Sequence, residues 1–407
     1  MESNKLIDLS SYLEKTDIFK LILPLIDKYT RYTFNSNEEL KNAVNEWCEN
    51  KDKAIIKYGH ISNWNTQYIT GMRDLFKDRH NFNEPLYWDT SNVSNMSGMF
   101  YGCESFNQHL NFTSTKNVTS MENMFHRATL FNQPLNFITE KVTNMCSMFD
   151  GCVSFNQPLN FNTENVTNMS CMFYDAISFN QPISFDTKNV ARMSGMFHGC
   201  ELFNQPLNFT STENVKSMSE MFYDCESFNK LLNFNTRNVI LMDDMFHGAT
   251  SFNQPLNFTS TENVINMDDM FHDATSFNQP LNWDTQNVES MNSMFFRSHS
   301  FNQPLNFTST EKVTNMASMF DQAESFNQPI KFNTENVTNM SEMFYKAKLF
   351  NQSLTFNTKN VTDMSGMFCC AGSFNQPLKF NTEKVTYLEK IFDYCPISEE
   401  NKCIFLS

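Results

Sequence analysis

A chain of 407 residues has room for two or three ordinary domains, yet 42 Phe and 26 Met against only 10 Gly and 12 Pro are not their composition. With 40% hydrophobic residues the chain is neither disordered nor membrane-like in bulk, and no run reaches the roughly 18 apolar residues of a spanning helix. A formal charge of −15 without any Lys/Arg cluster argues against nucleic acid and anionic membrane as partners, because both select a basic face.

Residues 1–57 carry no repeat and are expected to form an N-terminal helical cap. The apolar run from Ile18 to Ile26 is short and contains Lys20, with no basic lead-in and no small-residue cleavage site after it. No signal peptide is expected there, and the protein is expected to stay inside a cell. The segment from Leu9 to Leu21 resembles part of an F-box, which implies a substrate-adaptor role through residues 9–30, although the usual Leu-Pro opening is missing. A helical cap accounts for the same residues. Further on, Leu40, Val44, Trp47 and Cys48 form a helical stripe able to cover the open end of a stack of repeats.

From residue 58 to residue 395 the chain repeats itself. Aligned on one phenylalanine, from Phe76, Phe100 and Phe125 through to Phe392, about 14 copies succeed one another at intervals of 24 or 25 residues. The extra residue always enters at one place, where Phe-Thr-Ser-Thr (Phe112 to Thr115, Phe209 to Thr212) replaces Phe-Asn-Thr (Phe161 to Thr163). Such tolerance marks a surface loop.

Each copy has two halves. Met169, Met172, Phe173 and Ala176 stand at i, i+3, i+4 and i+7, which predicts a two-turn helix with one apolar stripe. Thr167 or Asn168 is placed to cap it, and acids near its start (Glu122, Glu220, Asp243, Asp268, Glu342) suit the positive end of a helix dipole. In the other half Phe155, Gln157, Leu159 and Phe161 share a face of an extended segment, and Pro158 confines regular pairing to about three residues after it. The expected fold class is therefore α/β, each unit a short parallel strand plus a two-turn helix, stacked into a solenoid.

The columns of this stack are explicit. Apart from Met1 and Met72, every Met belongs to a Met-x-x-Met pair, and nearly every Phe falls in one of three recurring positions, which predicts a continuous core shared between copies. Met-x-x-Met on an apolar stripe reads as packing rather than copper handling. Asn follows Phe in every copy from Asn83 to Asn375, and stacking at strand spacing would let these amides form an asparagine ladder. Cys103, Cys152, Cys200, Cys225 and Cys395 share one slot with Ala128, Ala176 and Ala249, so these thiols read as small buried residues rather than disulfide halves. Asn, Phe, Ile and Lys have AT-rich codons, which points to an AT-rich genome. Residues 396–407 depart from the pattern and are expected to form a C-terminal cap or tail.

The segment from Trp88 to Phe100 (Trp-Asp-Thr-Ser-Asn-Val-Ser-Asn-Met-Ser-Gly-Met-Phe), with Phe106-Asn-Gln after it, resembles the BspA-like leucine-rich-repeat family, specifically its mycoplasma-lipoprotein-type repeat. The family's lead-in is matched by Phe34, Glu39, Leu40, Ala43, Val44, Trp47, Tyr58, Gly59 and Ile61 to Trp64, and the likeness spans about residues 34–395. The resemblance implies a leucine-rich-repeat-like solenoid with a binding role, often at a microbial surface, and brings no catalytic residues or cofactor. Two departures stand out. The strand spacing is not Leu-x-x-Leu-x-Leu, and the secretion signal or lipobox cysteine of bacterial members is missing, so a surface adhesin would need another export route.

Two candidate sites remain. The residue after Met-Phe varies between copies (Tyr101, His126, Tyr174, His198, Tyr223, His247, His272, Tyr345), which is either a recognition ridge or a solvated ridge with partial packing. Asp243 and His247 lie one period from Asp268 and His272, as two i, i+4 pairs that stacking would bring together as N/O ligands for a Zn2+-type cation. Capping alone also favours Asp at those positions. The chain is expected to be a non-catalytic, monomeric scaffold for a protein partner.

Overall fold

The computed structural model describes residues 31–402, so the F-box-like stretch and the apolar run before residue 27 lie outside the described residues. The chain divides into two compact units, Met1–Asn165 and Val166–Ser407.

Among the described residues of the first unit the first helix is α1, Asn37–Glu49, whose first turn is capped by Ser36 Oγ accepting from the Glu39 N–H at 3.1 Å. Its buried stripe is Leu40, Ala43, Val44 and Trp47. Helix α2, Lys51–Tyr58, begins after Asn50. Together they set Trp47 and Tyr58 edge-on against Trp64, at 6.0 and 5.7 Å between ring centroids, and Trp64 stacks on Trp88 of the next copy at 6.2 Å. The helical stripe thus covers the aromatic end of the first repeats.

The repeats do not adopt the expected α/β architecture. Among the described residues, helices occur only at the ends: α1, α2, a 3-10 turn at Ile61–Asn63 and a single turn, α3, at Glu399–Lys402. Copies are joined by isolated parallel bridges, such as Asn95↔Ser120 in the first unit and Asn168↔Arg192 in the second, with no sheet. The strand-plus-helix unit, and the leucine-rich-repeat-like solenoid built on it, is therefore replaced by something else.

Where the helix was expected, the chain runs through consecutive tight turns. The Met172, Tyr174 and Ala176 N–H groups donate three residues back, to Met169, Cys171 and Phe173, at 3.0–3.2 Å. The alternate N–H groups of Met169, Cys171, Phe173 and Asp175 instead donate to Arg192, Ser194, Met196 and His198 of the next copy, at 2.7–3.0 Å. A helix turns its N–H groups back on itself. Exporting every second one requires left-handed backbone two residues before and two after the anchoring phenylalanine, as at Cys171 (φ 54°) and Asp175 (φ 50°). The same pair recurs in every copy, from Asp74 and Asp78 to Lys390 and Tyr394. Asn168 acts as an Asx turn, its Oδ1 accepting from the Ser170 N–H at 3.0 Å, not as a helix cap.

The core columns stand where periodic burial requires them. Val166, Met169, Met172, Phe173, Ala176 and Phe179 are all fully buried. Phe173 lies 4.2 Å from Phe179 within its copy and 5.6 Å from Phe197 in the next, with rings nearly parallel. Burying each such side chain contributes about 1.5–3 kcal/mol, which holds a turn run that has little stability of its own. The extra residue of the longer copies is exposed at Thr113 and Thr210, and there the third phenylalanine (Phe112, Phe209) is only half-buried.

Polar columns close the remaining backbone valences. Asn83 Oδ1 accepts from the Asn107 N–H at 3.0 Å and Gln108 Nε2 at 3.1 Å, and Asn253 does the same for Asn278 and Gln279. The asparagine ladder thus runs from each asparagine oxygen to a main-chain N–H and a glutamine amide of the next copy, rather than from asparagine amide to asparagine amide. A threonine column at the turn is buried, unlike the asparagines: Thr115, Thr212 and Thr261 donate to the carbonyls of Ile138, Asn235 and Asp284 at 2.8–3.0 Å. At the C-terminal end Asn401 Nδ2 reaches both the carbonyl and Oδ1 of Asn375 at 2.9 Å and finishes the ladder.

Candidate functional site

The residue after Met-Phe begins as an ordinary member of the turn run, between the buried phenylalanine and the second left-handed residue. Because copies superimpose turn on turn, these side chains stack. In the first unit Tyr101 and His126 lie face to face at 4.4 Å. In the second, Tyr174, His198, Tyr223, His247, His272 and Phe296 form an unbroken stack with centroid spacings of 4.0–4.3 Å. All are half-buried, so the column shows ring edges to solvent while the faces are spent on neighbours. Tyr345 stands outside this stack: the intervening copy places Asp321 there, 3% exposed and with Oδ1 unpartnered.

The column is acidic along its flank. His126 Nδ1 lies 3.2 Å from Asp150 Oδ2, and His198 Nδ1 3.2 Å from Glu220 Oε2. Burial, and then the carboxylates of Asp224, Asp244, Glu220 and Asp269, push the Tyr223 hydroxyl above its ordinary range. Burial pushes the Asp321 carboxyl up to about 7.

The four residues singled out for a cation are not brought together as a quartet. Their pairing at i, i+4 presupposed a helix. In the turn run the residue three before the histidine swings to it instead, so Asp244 Oδ1 meets His247 Nδ1 at 3.0 Å and Asp269 Oδ1 meets His272 Nδ1 at 2.8 Å. Asp243 accepts from Ser219 Oγ at 2.8 Å, and Asp268 accepts from Ser290 Oγ at 2.5 Å and the Asn292 N–H at 2.7 Å. Both therefore serve the join between copies. His247 and His272 do come together, 4.1 Å apart, and Asp273 joins them, its Oδ2 3.4 Å from His272 Nε2. Asp273 escaped sequence reasoning because it comes immediately after the histidine, on what a helix would make a different face.

The thiol slot is inert chemistry. Cys103, Cys152, Cys200 and Cys225 are buried, with Sγ donating to a phenylalanine carbonyl of the preceding copy at 2.9–3.0 Å, as Ser298 Oγ does at 2.6 Å. Burial holds all four thiols well above the ordinary range, so they stay protonated.

The stacked turns, shared aromatic core and polar ladders define a repeat protein in which each copy is one period of hydrogen bonds. The family model described as "Mycoplasma protein of unknown function, DUF285" matches five times, at residues 45–160, 135–233, 204–306, 229–331 and 328–402, and the chain belongs to that family. No curated protein and no solved structure matched the chain. No helix among the described residues is long and apolar enough to cross a membrane.

Proposed function

We propose that the protein is a non-catalytic scaffold that contacts a protein partner along the ring column of its second unit. The supporting observation is the unbroken stack from Tyr174 to Phe296, whose members vary while the core columns beside it repeat Met and Phe from copy to copy. Stacked rings held by their neighbours have little rotamer freedom left to lose, so their exposed edges bind at low entropic cost. A photo-crosslinking amino acid at Tyr223 in the native cell is expected to capture one polypeptide, and the same group at the exposed Leu231 is not. Equal capture at both positions, or none at Tyr223, removes the reading. The likeness to BspA-like proteins supports a second reading, a surface adhesin, and labelling of intact cells with an impermeant reagent separates it from a scaffold kept inside.

A further inference from the structure

We propose that His247, His272 and Asp273 bind one divalent transition-metal ion of the Zn2+ class, through two imidazole nitrogens and one carboxylate oxygen. One ligand atom from each of the three lies within 4.8 Å of the others. Zn–N and Zn–O bonds of about 2.0–2.2 Å at tetrahedral angles put ligand atoms about 3.3 Å apart, so closure asks for roughly 1.5 Å of movement. The two imidazoles are stacked at 14° between planes, so that movement is a tilt of the rings toward each other at the half-exposed edge.

A separate observation concerns the other nitrogen of each ring. Asp244 holds His247 Nδ1 at 3.0 Å and Asp269 holds His272 Nδ1 at 2.8 Å. A carboxylate on one imidazole nitrogen fixes the tautomer that leaves the other nitrogen's lone pair for a metal, the usual arrangement around ligating histidines. What sets these two adjacent copies apart is that the carboxylate comes from the histidine's own turn, whereas Nδ1 of His126 and of His198 faces Asp150 and Glu220 of the next copy at 3.2 Å. The position three before the histidine is Asn123 for His126 and Gly195 for His198, which bring no carboxylate of their own. Asp244 and Asp269 occupy left-handed backbone at φ 55° and 53°, which aims both side chains back at their histidines. Two nitrogens and one oxygen suit Zn2+ better than Ca2+, which takes an all-oxygen shell, or Cu(I), which prefers sulfur. One cation already competes: Arg297 Nη1 lies 3.6 Å from Asp273 Oδ2.

Titration of the full chain with Zn2+ alone, measured by calorimetry, tests the site. Thiols elsewhere also take Zn2+, so the readout is the difference between wild type and variants. His247→Ala/His272→Ala is expected to lose one equivalent, and His198→Ala, in the same stack, to lose none. Asp244→Asn/Asp269→Asn is expected to weaken binding by about 10–100-fold, the usual effect of removing carboxylates behind ligating histidines. Arg297→Ala is expected to tighten it several-fold, because it frees Asp273. Equal stoichiometry in wild type and the histidine variant overturns the site. If circular dichroism shows the histidine variant unfolded, Arg297→Ala decides alone, and an unchanged affinity overturns the proposal.

Discussion

In each copy the residues two before and two after the anchoring phenylalanine adopt positive φ, and most of them carry a Cβ. For an L-residue that conformation costs about 1–2 kcal/mol, and it persists because the N–H it re-aims bonds the next copy. Gly98, Gly102, Gly151, Gly195, Gly199, Gly248 and Gly366 all fall in these two columns. Glycine at two positions four apart, as at Gly98 and Gly102 or Gly195 and Gly199, was the legible sign that the Met-x-x-Met-Phe segment is not a helix. At Gly199 (φ 67°) an added Cβ would also come within 3.3 Å of Asp175 Cα. Gly199→Val is therefore expected to lower stability by about 2–3 kcal/mol, and Arg127→Gly, at φ 57°, to change it by less than about 1 kcal/mol, both read from urea midpoints. Asp321 gives a second expectation at this scale. Its carboxyl titrates near 3.8 when unfolded and at about 7 when buried, so the folded state holds the proton longer. Stability is full below pH 3.8 and falls as pH rises to about 7. Asp321→Asn removes that loss, and its gain over wild type is expected to grow by roughly 2–3 kcal/mol between pH 5 and pH 8. A gain that does not change with pH would show that the buried carboxyl is not what titrates.

At the scale of one repeat, the burial pattern was readable and the backbone was not. Spacings of i, i+3 and i+4 bring side chains to one face of a helix, and a train of turns bonded three residues back does the same. Met169, Met172, Phe173 and Ala176 are thus buried as the stripe requires, while every second N–H of the run, from Met169 to Asp175, goes to the next copy. The misplacement of Asp243 and Asp268 has the same cause, since pairing at i, i+4 belongs to the helix and pairing at i, i+3 to the turn. The asparagine column was legible because it recurs without exception. The threonine column recurs as faithfully (Thr90, Thr115, Thr139, Thr163), but Thr is so common in turns that its burial was hidden. Asn253→Ala strips the acceptor from the Asn278 N–H and Gln279 Nε2 and is expected to cost about 1–2 kcal/mol. Asn253→Asp keeps an oxygen at that point and is expected to retain most of the stability, measured in the same urea titration.

At the scale of the whole chain, a copy's half-satisfied turn run within each unit is completed by its neighbour, so the unit of folding is the interface and not the repeat. The Phe344 N–H bonds the Met367 carbonyl at 2.9 Å and the Phe368 N–H bonds the Ile391 carbonyl at 2.9 Å, one period after another in the second unit. Stability then depends on the number of such interfaces and on every column keeping its register. Deleting residues 345–368 removes one whole 24-residue period and joins Phe344 to Cys369, a chemically equivalent continuation of the repeat. That variant is expected to unfold cooperatively with a lower midpoint and an unchanged aromatic circular dichroism per residue. Deleting residues 345–356 removes half a period and sets turn against extended segment, so every later column loses its partner at once. It is expected to lose the aromatic signal of the copies beyond the cut. If the two deletions were equally tolerated, the copies would be folding independently, and neither the shared core nor the ladders could be holding them.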